Sequence, residues 1–283
     1  MKQEISSIIK PEELLLLMGS TKIVLIDASA GSKERYEKQH LEGALYVDLD
    51  KQLANIKSDV SIGGRHPLPN LDQFSQVLKQ LGISPQSHVI IYDDKNCSNA
   101  SARFWWMLKS IGHEKVQVLD GGFDAAVKAG FQLSSKKETP LISDTYQIRK
   151  WLLPLAEIEE VAKAAQDANC LVIDVRDKDR FDGIKEPIDL IAGHIPGAIN
   201  IPFASNLNST GSFLSPSELR EKYLEVIGNK KTENIILQCG SGVTACHTIL
   251  AMAYAGLDIP KLYVGSWSEW SRCNRPIATS AKD

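Results

Sequence analysis

The second half of this chain restates the first, and nothing else in the sequence restricts its possible folds so strongly. Ile23-Val-Leu-Ile-Asp27, an apolar run closed by an acid, is answered by Cys170-Leu-Val-Ile-Asp174. His40-Leu-Glu-Gly-Ala44 returns as His194-Ile-Pro-Gly-Ala198. Val89-Ile-Ile-Tyr92 returns as Ile235-Ile-Leu-Gln238, and both lead into a loop and a helical pattern. Val116-Gln-Val-Leu-Asp-Gly-Gly-Phe123 returns as Lys261-Leu-Tyr-Val-Gly-Ser-Trp267. The order is kept, so the repeated unit is a whole domain. Short apolar runs separated by helical segments read as parallel strands buried on both faces. Helical patterns cover Pro11–Met18, Leu71–Leu81, Ser98–Ile111, Leu155–Ala168, Pro216–Ile227 and Val243–Ala255. This alternation predicts an α/β fold of two tandem domains, each a mostly parallel sheet with helices on both faces. The expected boundaries are 1–138 and 153–283, with a linker over 139–152 near the polar stretch Ser134-Ser-Lys-Lys-Glu-Thr-Pro140.

Composition narrows the function. Hydrophobic residues make up 43% and charged residues 24%, and the net charge is −3. That balance offers no general affinity for nucleic acid or an anionic membrane, so any bound anion needs a local basic site. The longest apolar runs, such as Leu14–Met18, are too short to span a bilayer. The polar start Met1–Lys10 lacks the apolar centre of a signal peptide. Five cysteines, with no C-x-x-C pair, argue against a disulfide framework and against a zinc site. A cytoplasmic chain with reduced thiols, no metal and no cofactor is expected. Cys97, Cys170, Cys246 and Cys273 read as core cysteines.

Cys239 reads differently. The strand Ile235–Leu237 delivers it into Gly240-Ser-Gly-Val-Thr-Ala245, and a helical pattern follows. In such sheets ligands bind where strands end and helices begin. Glycines at 240 and 242 let the backbone curl so that successive N–H groups, including those of Val243 and Thr244, point inward. With the positive helix end they stabilise an anion, here the Cys239 thiolate. Helix N-termini can lower a thiol pKa from about 8.5 to between roughly 3.5 and 7.5. Ser241 and Thr244 add hydroxyl donors. At the duplicated position the first half carries Tyr92-Asp93-Asp94, whose acid would repel an anionic sulfur. The first half is therefore expected to be a non-catalytic partner that covers the cleft.

With these residues in order, the chain resembles the tandem-domain rhodanese-like sulfurtransferases. The resemblance rests on Asp174-Val-Arg176 with Arg180-Phe181, Gly193-His-Ile-Pro-Gly-Ala198 with Asn200, the loop Cys239–Ala245 and the tail Gly265-Ser-Trp-Ser-Glu-Trp270. Thiosulfate-using members place Arg and Lys after the cysteine, whereas Gly240-Ser241 resembles the branch that uses 3-mercaptopyruvate. The resemblance makes Arg180 the carboxylate-binding arginine; the plainer alternative is a surface ion pair with Asp177, Asp179 or Asp182. It also implies a relay of Asp50, His66 and Ser241 across the domain cleft, which could protonate a departing enolate. His66 lies in Arg65-His-Pro-Leu-Pro69 and Asp50 closes Val47-Asp-Leu-Asp50; each could instead merely cap a turn or a helix. One departure stands out: mercaptopyruvate-using relatives often carry a basic residue after Glu-Pro, and here Glu186-Pro187 is followed by Ile188. Arg65 or Lys185 could compensate.

The expected activity is transfer of sulfane sulfur from 3-mercaptopyruvate through a Cys239 persulfide, by ping-pong kinetics. Acceptors would be cyanide, a small thiol or thioredoxin. Thiosulfate is the alternative donor. Cysteine-dependent phosphatases and arsenate reductases use a related loop, Cys-x5-Arg, but Ala245 holds the arginine position, which removes the main charge partner of a phosphoryl transition state. A non-enzymatic binding module would not need Cys239.

Overall fold

The computed structural model describes residues 5–19, 23–141 and 145–280. Its contacts divide the chain into two compact units. One consists of Met1–Asn55, Pro69–Leu152 and Ser209–Phe213, and the other of Ile56–Leu68, Leu153–Asn208 and Leu214–Asp283. The stretch 139–152 thus clusters with the first unit. Ile56–Leu68, which precedes most of the first half, clusters with the second.

In the first unit the sheet runs in the order Ile8–Ile9, Val116–Leu119, His88–Tyr92, Ile23–Asp27, Leu45–Tyr46, with every pairing parallel. The ladder Ile23↔His88 through Asp27↔Tyr92 forms its centre. Leu25, Ile90, Tyr92 and Leu119 pack with Leu14, Phe123 and Ala126 on one face. The alternate residues Ile26, Val89, Ile91 and Val118 are buried too, which is why these strands read as unbroken apolar runs. His40–Leu41 and Leu133–Ser134 form a separate antiparallel pair.

The second unit repeats the order: Lys261–Leu262, Ile235–Gln238, Leu171–Asp174, Ile199–Asn200, again all parallel. A parallel bridge between Leu155 and Leu262 adds an edge where the first unit has Ile8–Ile9. That bridge corrects one expectation. The helix predicted over Leu155–Ala168 is confined to Ile158–Ala164, because Leu155 and Ala156 are taken by the sheet edge. The helix Pro216–Ile227 matches its pattern, since Ser215 and Glu218 form a reciprocal cap and Pro216 starts the first turn. The helix after the Cys239 loop is Thr244–Tyr254. No helix among the described residues is long and apolar enough to cross a membrane.

Candidate active site

The site is built at the carboxyl end of Ile235–Gln238, the inner strand between Leu171–Asp174 and Lys261–Leu262. Cys239 follows directly and is 1% exposed. Its loop is held from the turn that starts the short helix Ser266–Trp270. The Ser266 hydroxyl accepts from Cys239 N (3.1 Å) and Gly242 N (3.0 Å), and donates to Tyr263 O (2.8 Å). Trp267 N donates to Cys239 O (3.0 Å) and Ser268 N to Gly240 O (2.8 Å). The carbonyls thus point outward. The amides of Gly240, Ser241 and Val243 are left with no protein acceptor among the described residues. Gly242 has φ +70°, and a Cβ there would lie 2.6 Å from Val264 O, so only glycine lets the loop pass. Three amides beside Cys239 are thus left as donors that can hold an anion, while the Gly242 amide is spent on Ser266.

Beneath the loop lies a second layer of charge. Arg176 is buried on Asp174 (2.6 Å), donates to Gly193 O (2.7 Å) and lies over the Trp267 ring (4.6 Å). Asn200 Nδ2 ties the Asp174 and Arg176 carbonyls (3.0 and 2.9 Å). This accounts structurally for the Asp-Val-Arg and Asn motifs. Arg180 lies nearer the loop and pairs with Glu186 (2.7 Å) and Asp189 (3.1 Å), not with Asp177, Asp179 or Asp182. Burial alone would lower the Arg180 pKa. Hydrogen bonding and charge from Glu186, then the charges of Asp189 and Cys239, outweigh burial and raise it. For Glu186, burial pushes upward, but Arg180 and the amides of Asp189 and Ile188 hold its carboxyl below its ordinary value.

His66 belongs to the second unit despite its place in the first half, and its Nδ1 lies 2.7 Å from Ser241 Oγ. The structure therefore brings Cys239, Gly240, Ser241, Gly242, Val243, Thr244, Arg180 and His66 into one unit. Asp50 belongs to the other, on the helix Leu49–Gln52, where its amide donates to the capping Asp48 carboxylate (3.0 Å). Of the cysteines read as core residues, Cys97 and Cys246 are buried, and Cys246 Sγ donates to Gly242 O (3.3 Å). Cys170 and Cys273 depart from that reading: both are partly exposed, because each lies just outside a strand or helix.

The first unit's counterpart loop is filled from within. Asp93 stands where Cys239 stands, and Phe123 N donates to its carbonyl (2.9 Å) as Trp267 does to that of Cys239. The Asp93 carboxylate accepts from the amides of Lys95, Cys97, Asn99 and Ser101 and from Ser101 Oγ (2.6 Å). Full burial nonetheless raises its pKa. This cradle's amides are thus spent on a side chain of the same loop.

Sequence reasoning passed over Asp189, whose side chain is wholly buried among guanidinium groups, and Ser266, which ties the loop. The Gly265-Ser-Trp tail carried a signal for Ser266. Asp189, inside the apolar stretch Pro187-Ile-Asp-Leu-Ile191, gave none.

Comparison with known proteins shows the family to which the chain belongs. A sequence model of the rhodanese-like domain matches residues 10–129 and 157–273. The chain is 36% identical over 280 residues to a probable 3-mercaptopyruvate sulfurtransferase of Pseudomonas aeruginosa, covering 98% of this chain and 96% of that protein. It is 36% identical over 236 residues to a putative thiosulfate sulfurtransferase of Mycobacterium tuberculosis, covering 83% and 81%. Among solved structures, the 3-mercaptopyruvate sulfurtransferase from Leishmania major superposes with a TM-score of 0.84 at 28% identity, covering 97% of this chain and 76% of that one.

Proposed function

Because the chain belongs to the rhodanese-like family, we propose that it moves sulfane sulfur from 3-mercaptopyruvate to a thiophilic acceptor through a persulfide on Cys239. The observation that carries this reading is Cys239 in a loop where the amides of Gly240, Ser241 and Val243 are unspent, with Arg180 Nη2 3.4 Å from where a Cβ on Gly240 would stand. The Cys239 thiolate attacks the donor's sulfur, forming an S–S bond as the donor's C–S bond breaks. The electron pair of that bond leaves on carbon as pyruvate enolate, and the donor's own thiol proton ends on the methyl group. Ser241 with His66, 2.7 Å apart, is the pair suited to carry that proton. Arg180 holds the donor carboxylate, and the amides of Gly240, Ser241 and Val243 hold the persulfide anion. Cyanide, a small thiol or thioredoxin then takes the outer sulfur and returns the thiolate.

Thiosulfate is the second donor to weigh, favoured by the Mycobacterium relative. One experiment tests both. Incubation with 3-mercaptopyruvate should release pyruvate and add about 32 Da to Cys239, and Cys239→Ser should do neither. Turnover on thiosulfate is expected to be lower. Pyruvate release unaffected by Cys239→Ser would sink the mechanism, and faster turnover on thiosulfate would reverse the donor order.

A further inference from the structure

We propose that the outward face of residues 184–191 is the surface on which a protein acceptor docks to take sulfur from Cys239, the partner being a small folded protein that offers a thiol from an apolar face. The proposal deepens the persulfide reading above and rests on it. Within this short stretch Ile184, Ile188, Leu190 and Ile191 are 63%, 55%, 67% and 46% exposed. No other stretch of the same length among the described residues exposes as many large aliphatic side chains. Exposed aliphatics scattered singly need no explanation, whereas a contiguous group marks a contact surface.

The segment is turned inside out and held that way. Its carboxylates, Glu186 and Asp189, are buried against Arg180 at 2.7 and 3.1 Å. The Glu186 carboxylate also accepts from the amides of Ile188 and Asp189 (3.0 Å each). Ile184 N donates to Asp179 O (2.9 Å), and Ile191 O accepts from Trp267 Nε1 (2.8 Å). The aliphatic side chains are therefore presented from a fixed backbone, which keeps the entropy lost on docking small. The same inward carboxylates bring the segment to the catalytic loop. A Cβ on Gly240 would lie 3.4 Å from Asp189 Oδ2, so the segment that carries the patch borders the residue after the nucleophile.

Size and charge say what covers the patch. A small anionic donor is gripped by guanidinium groups and has no use for four aliphatic side chains, so the patch belongs to the second half-reaction. Side chains at these exposures present on the order of 400 Å² together, well short of the ~800 Å² per partner of a stable complex. That is too little to hold a permanent second copy of the chain, and it suits an acceptor that must leave after each transfer. With Glu186 and Asp189 turned inward, the face shows one charge, Lys185, itself 3.2 Å from Asp179. The matching surface is accordingly apolar and free of basic groups. Cys239 is almost wholly buried, so a protein thiol has to be steered to it. The docked thiolate attacks the outer sulfur of the Cys239 persulfide and forms a new S–S bond. The old S–S bond breaks, its electron pair returns to Cys239 as thiolate, and the acceptor leaves as the persulfide.

The test uses the full chain with Cys239 loaded from inorganic polysulfide and freed of excess by gel filtration, so the natural donor plays no part. Loss of the added ~32 Da at Cys239 is followed in single turnovers with reduced thioredoxin and, separately, with cyanide. In Ile184→Ser/Leu190→Ser the second-order rate constant with thioredoxin is expected to fall about tenfold, and that with cyanide to stay within about twofold. Leu190→Met, which keeps the apolar area, should leave both constants at the wild-type values. An unchanged thioredoxin constant in the folded double variant overturns the proposal. So does an equal loss with cyanide, which would report a disturbed loop and not a lost dock. Should the double variant not fold, Leu190→Ser alone is held to the same criterion, with a loss of about threefold expected. A wild type that discharges to cyanide but not to thioredoxin overturns the proposal too. Sedimentation decides the rival occupant: a wild-type dimer that Leu190→Asp converts to monomer would seat a second copy on this face and exclude the acceptor. Failure of polysulfide to load Cys239 would instead defeat the persulfide reading itself.

Discussion

Ser266→Ala is the most searching test of how the Cys239 loop is held. The Ser266 hydroxyl is completely buried and serves three groups at once: Cys239 N, Gly242 N and Tyr263 O. Alanine removes all three partners, and the vacated volume, one oxygen atom, is too small for a water to replace it. A buried polar group left without a partner costs about 1–3 kcal/mol, so two stranded amides and a weakened carbonyl cost on the order of 3–6 kcal/mol. Against a typical stability of about 5–15 kcal/mol this is a large share. At roughly 3–4 °C per kcal/mol, the calorimetric transition of the second unit should fall by about 10–20 °C. Ser266 also has φ +51°, so Ser266→Gly should regain about 0.5–1 kcal/mol of backbone strain while losing the same three bonds. Glycine should therefore be the milder substitution. A loop displaced by about 1 Å would slow sulfur transfer by up to ~100-fold. If Ser266→Ala melts within about 2 °C of the wild type, the hydroxyl does not hold the loop. If alanine proves milder than glycine, the strain at this position has been misjudged.

Two further predictions concern the first unit. Asp93→Asn places an NH2 group against at least two backbone N–H donors, whichever carboxylate oxygen it replaces, because both oxygens accept amides. Urea denaturation should report a loss of about 2–4 kcal/mol, and a loss under 0.5 kcal/mol would mean that the carboxylate does not organise its loop. His113, almost wholly buried between the Tyr146 hydroxyl and Ser87 O (3.1 Å each), has its pKa lowered by burial to about 4. The unfolded chain then takes up the proton first, so this contribution to stability is fully present above pH 6.5, declines as pH falls from 6.5 to about 4, and levels off below that. The decline should amount to on the order of 3 kcal/mol, and His113→Gln should flatten it. A wild-type profile flat from pH 6.5 to 4 would contradict the burial argument.

How far the sequence reached follows from the range of the forces involved. The strands were legible because a sheet covered on both faces demands unbroken apolar runs, and Ile23–Asp27 and Ile235–Gln238 obey that demand locally. Cys239 was legible for the same reason: strand, cysteine and glycine-rich loop are contiguous, and the internal repeat supplied Asp93 for contrast. Leu155 was not, since a residue at a sheet edge carries the same apolar signal as one at a helix start.

The chemistry around the thiol depended on contacts distant in sequence. His66 meets Ser241 only because Ile56–Leu68 packs with the second unit. Arg65 finds Asp189 by the same route, and no local pattern marks a buried aspartate among isoleucines and leucines as the hub for arginines. Burial sets the cost of leaving any of these charges unpaired, and burial is a property of the folded whole. Local apolar patterns and contiguous motifs were enough to read two parallel-sheet domains and one cysteine set in a glycine-rich loop. Which charges and hydroxyls surround that cysteine emerged with the folded chain, because their pairing is enforced by desolvation that no single segment experiences alone.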